Sequence, residues 1–151
     1  MQTMEQLKVD FKRIHADAEI RNVRLDYLFF EQLDQEEING GDVNVRLILQ
    51  EKDDVYIVEV NIVGNVIVSC DRCMADLQLP VNTSEVIKFK YGEEDHSDTN
   101  NYEYIHDLVK PYDLSWLIYE IVEVSLPISR VHPDGECDER MMEILKQYSS
   151  N

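Results

Sequence analysis

From Val43 to Leu49 every second residue is apolar: Val43, Val45, Leu47 and Leu49 point one way, Asn44, Arg46 and Gln50 the other. A period of two suits only extended chain with one covered and one open face, so this segment predicts a half-buried antiparallel strand. Lys52-Asp53-Asp54 supplies a turn, and Val55 to Val63 returns as a β-branched run. Gly40-Gly41 is expected to break the chain before the first of these strands, and Gly64-Asn65 to form a bulge or kink in the second. Val66 to Ser69 then leads into Cys70-Asp71-Arg72-Cys73. Leu77 and Leu79 alternate up to Pro80, Asn82-Thr83 predicts a turn, and Val86 to Tyr91 a further strand. Sequential strands usually pair, so about four of them make a meander.

Leu7, Val9 and Phe11 alternate as in an edge strand, and Asp26 to Leu33, with Phe29 and Phe30, predicts a short helix or an apolar anchor. After the sheet, Asp113 is placed to cap a helix whose face is Leu114, Leu117, Ile118 and Ile121. Trp116, Tyr119 and Glu120 fall off that stripe, and Pro127 ends it. A second helix is expected from about Asp138 to Tyr148, with Met141, Ile144, Leu145 and Tyr148 on one side. Ile128 to Cys137 joins the two as an extended stretch closing in a turn. The expected fold is α+β: an antiparallel meander sheet or partly open barrel followed by two C-terminal helices, as a single domain over residues 1–151. Gly92 to Glu103 carries almost nothing apolar and predicts a flexible acidic loop, without the spacing of a calcium loop.

Charge narrows the function. Fourteen Lys and Arg against thirty-one Asp and Glu give a formal charge of −17, which repels phosphate backbones and anionic lipid heads at long range. A net sum leaves room for one local basic patch, and an acidic body attracts basic partners. No run approaches the roughly 20 apolar residues that cross a bilayer, and Met1 to Lys12 lacks a signal-peptide core. With an odd number of cysteines, three, the chain does not read as a secreted disulfide framework; a cytoplasmic location is expected. There is no phosphate loop, no Gly-x-Ser-x-Gly and no His-Glu-x-x-His, while His15, His96 and His106 are isolated. No enzymatic activity, membrane partner or small-molecule substrate is expected.

Cys70-x-x-Cys73 is the sharpest local feature, since two intervening residues let both sulfurs bind one tetrahedral ion. Cys137 follows His132 by five residues, and Cys70, Cys73, His132 and Cys137 would make a closed Cys₃His site for one structural zinc ion. The competing reading is that the cysteines are small buried hydrophobes and His132 caps a turn. A redox pair would need its first cysteine at a helix N-terminus, whereas strand-like Leu-Gln-Leu follows here.

The hairpin Gly64-x5-Cys70-Asp71-Arg72-Cys73-Met74 resembles the hallmark of the YceD-like family. The later series Tyr112-Asp113-Leu114-Ser115-Trp116-Leu117-Ile118-Tyr119-Glu120, then Ser125-Leu126-Pro127, is similar to the family's Asp-Leu, helical Glu and Leu-Pro features. Phe29-Phe30 ahead of the first hairpin strand extends the likeness over most of the chain. Many relatives carry Cys-x3-Cys-x-Gly-x-Cys-x2-Cys-Gly after the Leu-Pro, where this chain keeps only His132 and Cys137, as in a divergent branch. The resemblance implies a non-enzymatic role in accumulation of large-subunit ribosomal RNA or in ribosome assembly, by binding RNA or an assembly protein. Candidate RNA- or partner-binding residues are Arg72 at the hairpin tip, Lys88 and Lys90 on one strand face, and Trp116 on the helix. Arg21 and Arg24 would join them if the N-terminal segment folds back. Alternatives are an acidic adaptor or chaperone for a basic ribosomal protein, and a structural zinc module with an unrelated partner.

Overall fold

The computed structural model describes residues 5–93, 101–133, 137, 143 and 144. Its strands are β1 (Lys8–Val9), β2 (Glu19–Leu25), β3 (Gly40–Lys52), β4 (Val55–Ser69), β5 (Asp76–Tyr91), β6 (Glu103–Ile105) and β7 (Tyr112–Asp113); its helices are α1 (Tyr27–Gln32) and α2 (Ser115–Ser125). One sheet runs in the order β2-β3-β4-β5-β6, and β1 pairs with β7 in a second, two-stranded one.

The alternation at Val43 to Leu49 does what its period demands: all four apolar side chains are buried, and the register carries the pattern across to Val58, Val60 and Ile62. The β3–β4 turn is tight because Lys52 pairs with Val55 and the two residues between, Asp53 and Asp54, take φ of 53° and 63°. Both lie in the left-handed region that a two-residue hairpin turn needs and that aspartate tolerates.

Several expectations fail in the same direction: the strands are longer than their sequence signals. Gly40-Gly41 does not break the chain but opens β3, and Gly64-Asn65 forms no bulge, since β3 and β4 stay in register through Gly41↔Val66 and Gly64↔Val43. Gly41 and Gly64 serve close approach of backbone to backbone. Asn82-Thr83 makes no turn either; β5 runs on through Pro80, paired to Asn65, as far as Lys90 opposite Val55. Long-range pairing overrides weak local turn propensity. The sheet is also mixed rather than purely antiparallel, because β6 lies parallel to β5.

One contiguous core joins the sheet to the remaining elements. Leu7, Val9 and Phe11 are buried, but the expected edge strand is only Lys8–Val9 and Phe11 opens a 3-10 turn, its ring 5.0 Å from Tyr56 and 5.1 Å from Phe89. Asp26 caps α1 by accepting from the Leu28 amide at 3.0 Å, and Phe29 and Phe30 go into the core. Asp113 accepts from the Ser115 amide (2.9 Å) and hydroxyl (2.6 Å), holding the first turn of α2. The buried stripe of α2 is Leu114, Ile118, Tyr119 and Val122, while Leu117 and Ile121 are half-buried, so Tyr119 belongs to the core rather than to the outer face. Only one C-terminal helix is described in full. The second, expected over Asp138 to Tyr148, lies outside the described residues apart from Glu143 and Ile144, which are helical. Of the expected acidic loop, residues 94–100 also lie outside, and Glu103 opens β6.

Candidate metal centre

The β4–β5 connection is a knuckle. Ser69 pairs with Asp76 to close the ladder, and within the turn the Cys70 amide donates to the Ala75 carbonyl and the Met74 amide to the Cys70 carbonyl, both at 2.9 Å. The turn aims Cys70 and Cys73 inward, where both are buried in the edge of the core.

The chain beyond α2 is then zipped onto this turn. Asp71 donates its amide to the Arg130 carbonyl at 2.6 Å, and its carboxylate accepts from the Arg130 amide at 2.8 Å. Arg72 donates to the His132 carbonyl at 2.6 Å. Arg130 is largely covered and reaches Glu37 and Glu123, each at 3.3 Å. Sequence reasoning passed over Asp71 and Arg130. The only signal is a lone cation just after the Leu-Pro, which says nothing about its fold-dependent neighbours.

This zipper brings the four donors together. Cys70 Sγ lies 3.8 Å from Cys137 Sγ, and Cys73 Sγ lies 3.4 Å from His132 Nδ1. All four donor atoms fall within 4.8 Å of one another. Tetrahedral zinc bonds of about 2.3 Å to sulfur and about 2.0 Å to nitrogen imply edges of about 3.8 Å between sulfurs and about 3.5 Å between sulfur and nitrogen. The two pairs match both edges, so the donor set fits the ion. His132 Nε2 lies 2.9 Å from the Asp76 carbonyl. A carbonyl only accepts, so Nε2 carries the proton and the Nδ1 lone pair faces the sulfurs, the outer hydrogen bond that orients a ligating histidine.

The electrostatics of the four groups favour a single thiolate, at Cys70. Burial pushes the Cys70 thiol up, but backbone hydrogen bonds from Cys73, His132 and Arg72, with help from the Cys73 side chain, outweigh it and bring the pKa down to about 5. Burial, followed by the Cys70 and Cys73 sulfurs, raises Cys137 to about 11. The Asp76 carbonyl first, and then Cys70, hold the His132 pKa above the ordinary imidazole value. One thiolate is therefore stabilised, and its charge resists a second one alongside.

Met74, just after the second cysteine, takes φ of 64° and is well exposed. A side chain in this region costs about 1 kcal/mol. Met74→Gly is therefore expected to stabilise the protein by about 0.5 kcal/mol after the greater freedom of glycine in the unfolded chain is subtracted. A chemical denaturation midpoint that falls instead of rising refutes it.

The profile of the family described as Large ribosomal RNA subunit accumulation protein YceD matches residues 58–147, more than half of the chain. The chain belongs to the YceD family. All four donors, β5 and α2 lie inside the YceD match, whereas β1 to β3 precede it. No curated protein and no solved structure matches the chain.

The other candidate residues are not gathered in one place. Arg72 sits at the knuckle, and Lys88 and Lys90 lie twelve or more residues along β5, roughly 40 Å away at strand spacing. Trp116 stands half-exposed on α2, edge-to-face with Tyr119 at 5.6 Å. Arg21 is turned to Glu19 and the carbonyls of Gln6 and Lys8, and Arg24 pairs with Asp42 through two hydrogen bonds. Among the described residues no helix is long and apolar enough to cross a membrane.

Proposed function

We propose that this YceD-family chain is a cytoplasmic, non-enzymatic factor for large-subunit ribosomal RNA accumulation or assembly, and that Cys70, Cys73, His132 and Cys137 hold one structural zinc ion. The family match, which contains all four donors, carries the ribosomal part of this reading. The donor set carries the rest: four protein ligands complete a tetrahedron and leave no open position for a reacting water, as in structural rather than catalytic zinc sites.

Bound there, zinc would cross-link the β4–β5 knuckle to the segment after α2. The chain's own residues prepare that link. Cys70 and Cys73 are positioned by the turn, His132 by the Asp76 carbonyl, and the incoming strand by Asp71 and Arg72. The product is a rigid edge on the sheet, suited to docking.

Depletion of the protein is expected to lower mature large-subunit RNA and raise its precursors, with the small subunit unaffected. Unchanged large-subunit profiles would remove the ribosomal reading. The net charge of −17 favours a second reading, an acidic adaptor for a basic ribosomal protein. Pull-down separates the two: basic proteins retained after RNase treatment favour the adaptor, and recovery that requires RNA favours the RNA-binding factor.

A further inference from the structure

One face of the five-stranded sheet is covered by α2 and the core, and among the described residues the other is open. On β2 to β5 the outward residues are the even-numbered ones of β2, β3 and β5 and the odd-numbered ones of β4. None of these outward side chains is buried. The open face inverts the charge of the molecule. It holds five of the fourteen cations, Arg24, Arg46, Lys52, Lys88 and Lys90, but only three of the thirty-one carboxylates, Asp42, Glu59 and Asp76. Asp42 is already neutralised by Arg24. Among the described residues, Arg46, Lys52 and Lys88 are not held by any side-chain hydrogen bond or ion pair.

Asn22, Asn44, Asn61, Asn65 and Asn82 also point outward, a row of groups that donate and accept without charge. Near Gly40, which lies on this face and carries no side chain, the face sinks into a concavity of about 900 Å³ rimmed by Tyr27, Asn44, Asn65 and Gln78. About 23 Å further along β4, at strand spacing, lie Lys88 and Lys90. Lys90 Nζ stands 5.5 Å over the Tyr102 ring, which meets Tyr104 edge-on.

We propose that this open face, from the concavity at Gly40 and Asn65 to Lys88, Lys90 and Tyr102, is the docking surface for a segment of single-stranded RNA. The inference rests on the ribosomal reading above and specifies its surface. Phosphates would meet Arg46, Lys52, Lys88 and Lys90, base edges the amides, and base faces the tyrosines, the combination by which single strands are held. The acidic remainder of the molecule repels phosphate, so it orients the strand onto this face alone.

The test uses labelled single-stranded RNA oligonucleotides tiled across the large-subunit ribosomal RNA. The wild-type protein is expected to bind some of them. Arg46→Glu/Lys88→Glu/Lys90→Glu should weaken binding at least tenfold and flatten the salt dependence by about two in log–log slope. Lys12→Glu/Arg13→Glu/Lys110→Glu changes net charge equally away from the face and should leave binding within about threefold. The Gln versions of the first triple test the same groups if the Glu triple fails to fold. No bound oligonucleotide, equal loss in both triples, or capture of a basic protein by the face with RNA absent would overturn the assignment. Replacing the wild-type protein by the first triple in cells is expected to mimic deletion. If deletion lowers large-subunit RNA and the triple does not, the surface is wrong and the ribosomal reading stands; if deletion has no effect, the ribosomal reading itself falls.

Discussion

A Cys73→Ser chain is expected to purify without zinc and to melt on the order of 10 °C below the wild type, which should carry one zinc per molecule. Structural zinc binding is coupled to folding, because the unfolded chain has no preformed site. Cys73 is buried and faces His132 Nδ1 at 3.4 Å, so serine removes one of the four proposed donors, which the neighbouring groups cannot replace. Losing a ligand is expected to cost at least about 3 kcal/mol, which for a chain of this size is on the order of 10 °C in Tm. The loss should be local first. Hydrogen exchange is expected to accelerate at Asp71 and Arg130, whose amides are protected only while the two segments stay joined. Elemental analysis and thermal melts of wild type and variant check the prediction. Wild-type protein prepared without chelator and found free of zinc would refute it, as would equal melting of the two chains.

Gly64→Ala is expected to destabilise the fold by about 3 kcal/mol or to prevent soluble expression. A Cβ at Gly64 would lie 2.6 Å from the Val43 Cα and closer still to the Asp42 carbonyl oxygen. Both obstacles are backbone atoms of β3, so relief requires β3 and β4 to part at the centre of the sheet, and overpacking without relief costs about 3 kcal/mol. Gly41→Ala meets the mirror problem, with the Asn65 oxygen at 2.6 Å and the Val66 Cα at 2.9 Å. Gly40→Ala is the control. Its Cβ would touch only the Tyr27 Cβ, at 3.5 Å, and it should stay within about 0.5 kcal/mol of wild type. Urea unfolding of the three variants decides; a Gly64→Ala midpoint equal to that of Gly40→Ala would show that the strands separate freely there.

Much of the architecture was legible because burial imposes a period. Val43 to Leu49 could be assigned a face without knowing any neighbour, and Asp113 and the aspartates at 53 and 54 announce a cap and a turn by side-chain chemistry that acts within a few residues. The errors cluster where the deciding atoms are distant in sequence. Gly40-Gly41, Gly64-Asn65 and Asn82-Thr83 look like interruptions locally, yet each is held extended by ladder bonds to strands on either side. Tyr119 reads as outward from helical spacing, but in the folded chain it is buried, within reach of the fields of Glu37, Glu123 and Arg130. The parallel placing of β6 depends on a crossover that leaves no mark on three short residues.

The candidate metal centre divides along the same line. Residue types and spacing sufficed to nominate Cys70, Cys73, His132 and Cys137, since a thiolate pair two residues apart has few geometric uses. That the two halves meet depends on Asp71, Arg72 and Arg130, whose hydrogen bonds span about sixty residues of chain. Of the candidate cations, Lys88 and Lys90 were legible as sharing a strand face, but Arg72 belongs to a different place. Pairing register alone reveals that Arg46, Lys88 and Lys90 share an open face while Arg72 and Trp116 do not. Chemistry confined to a few neighbouring residues is thus written in their order, because its geometry is covalent. Which surfaces become sites was decided by tertiary structure, because strand pairing and the zipper after α2 bring together groups that the covalent chain leaves far apart.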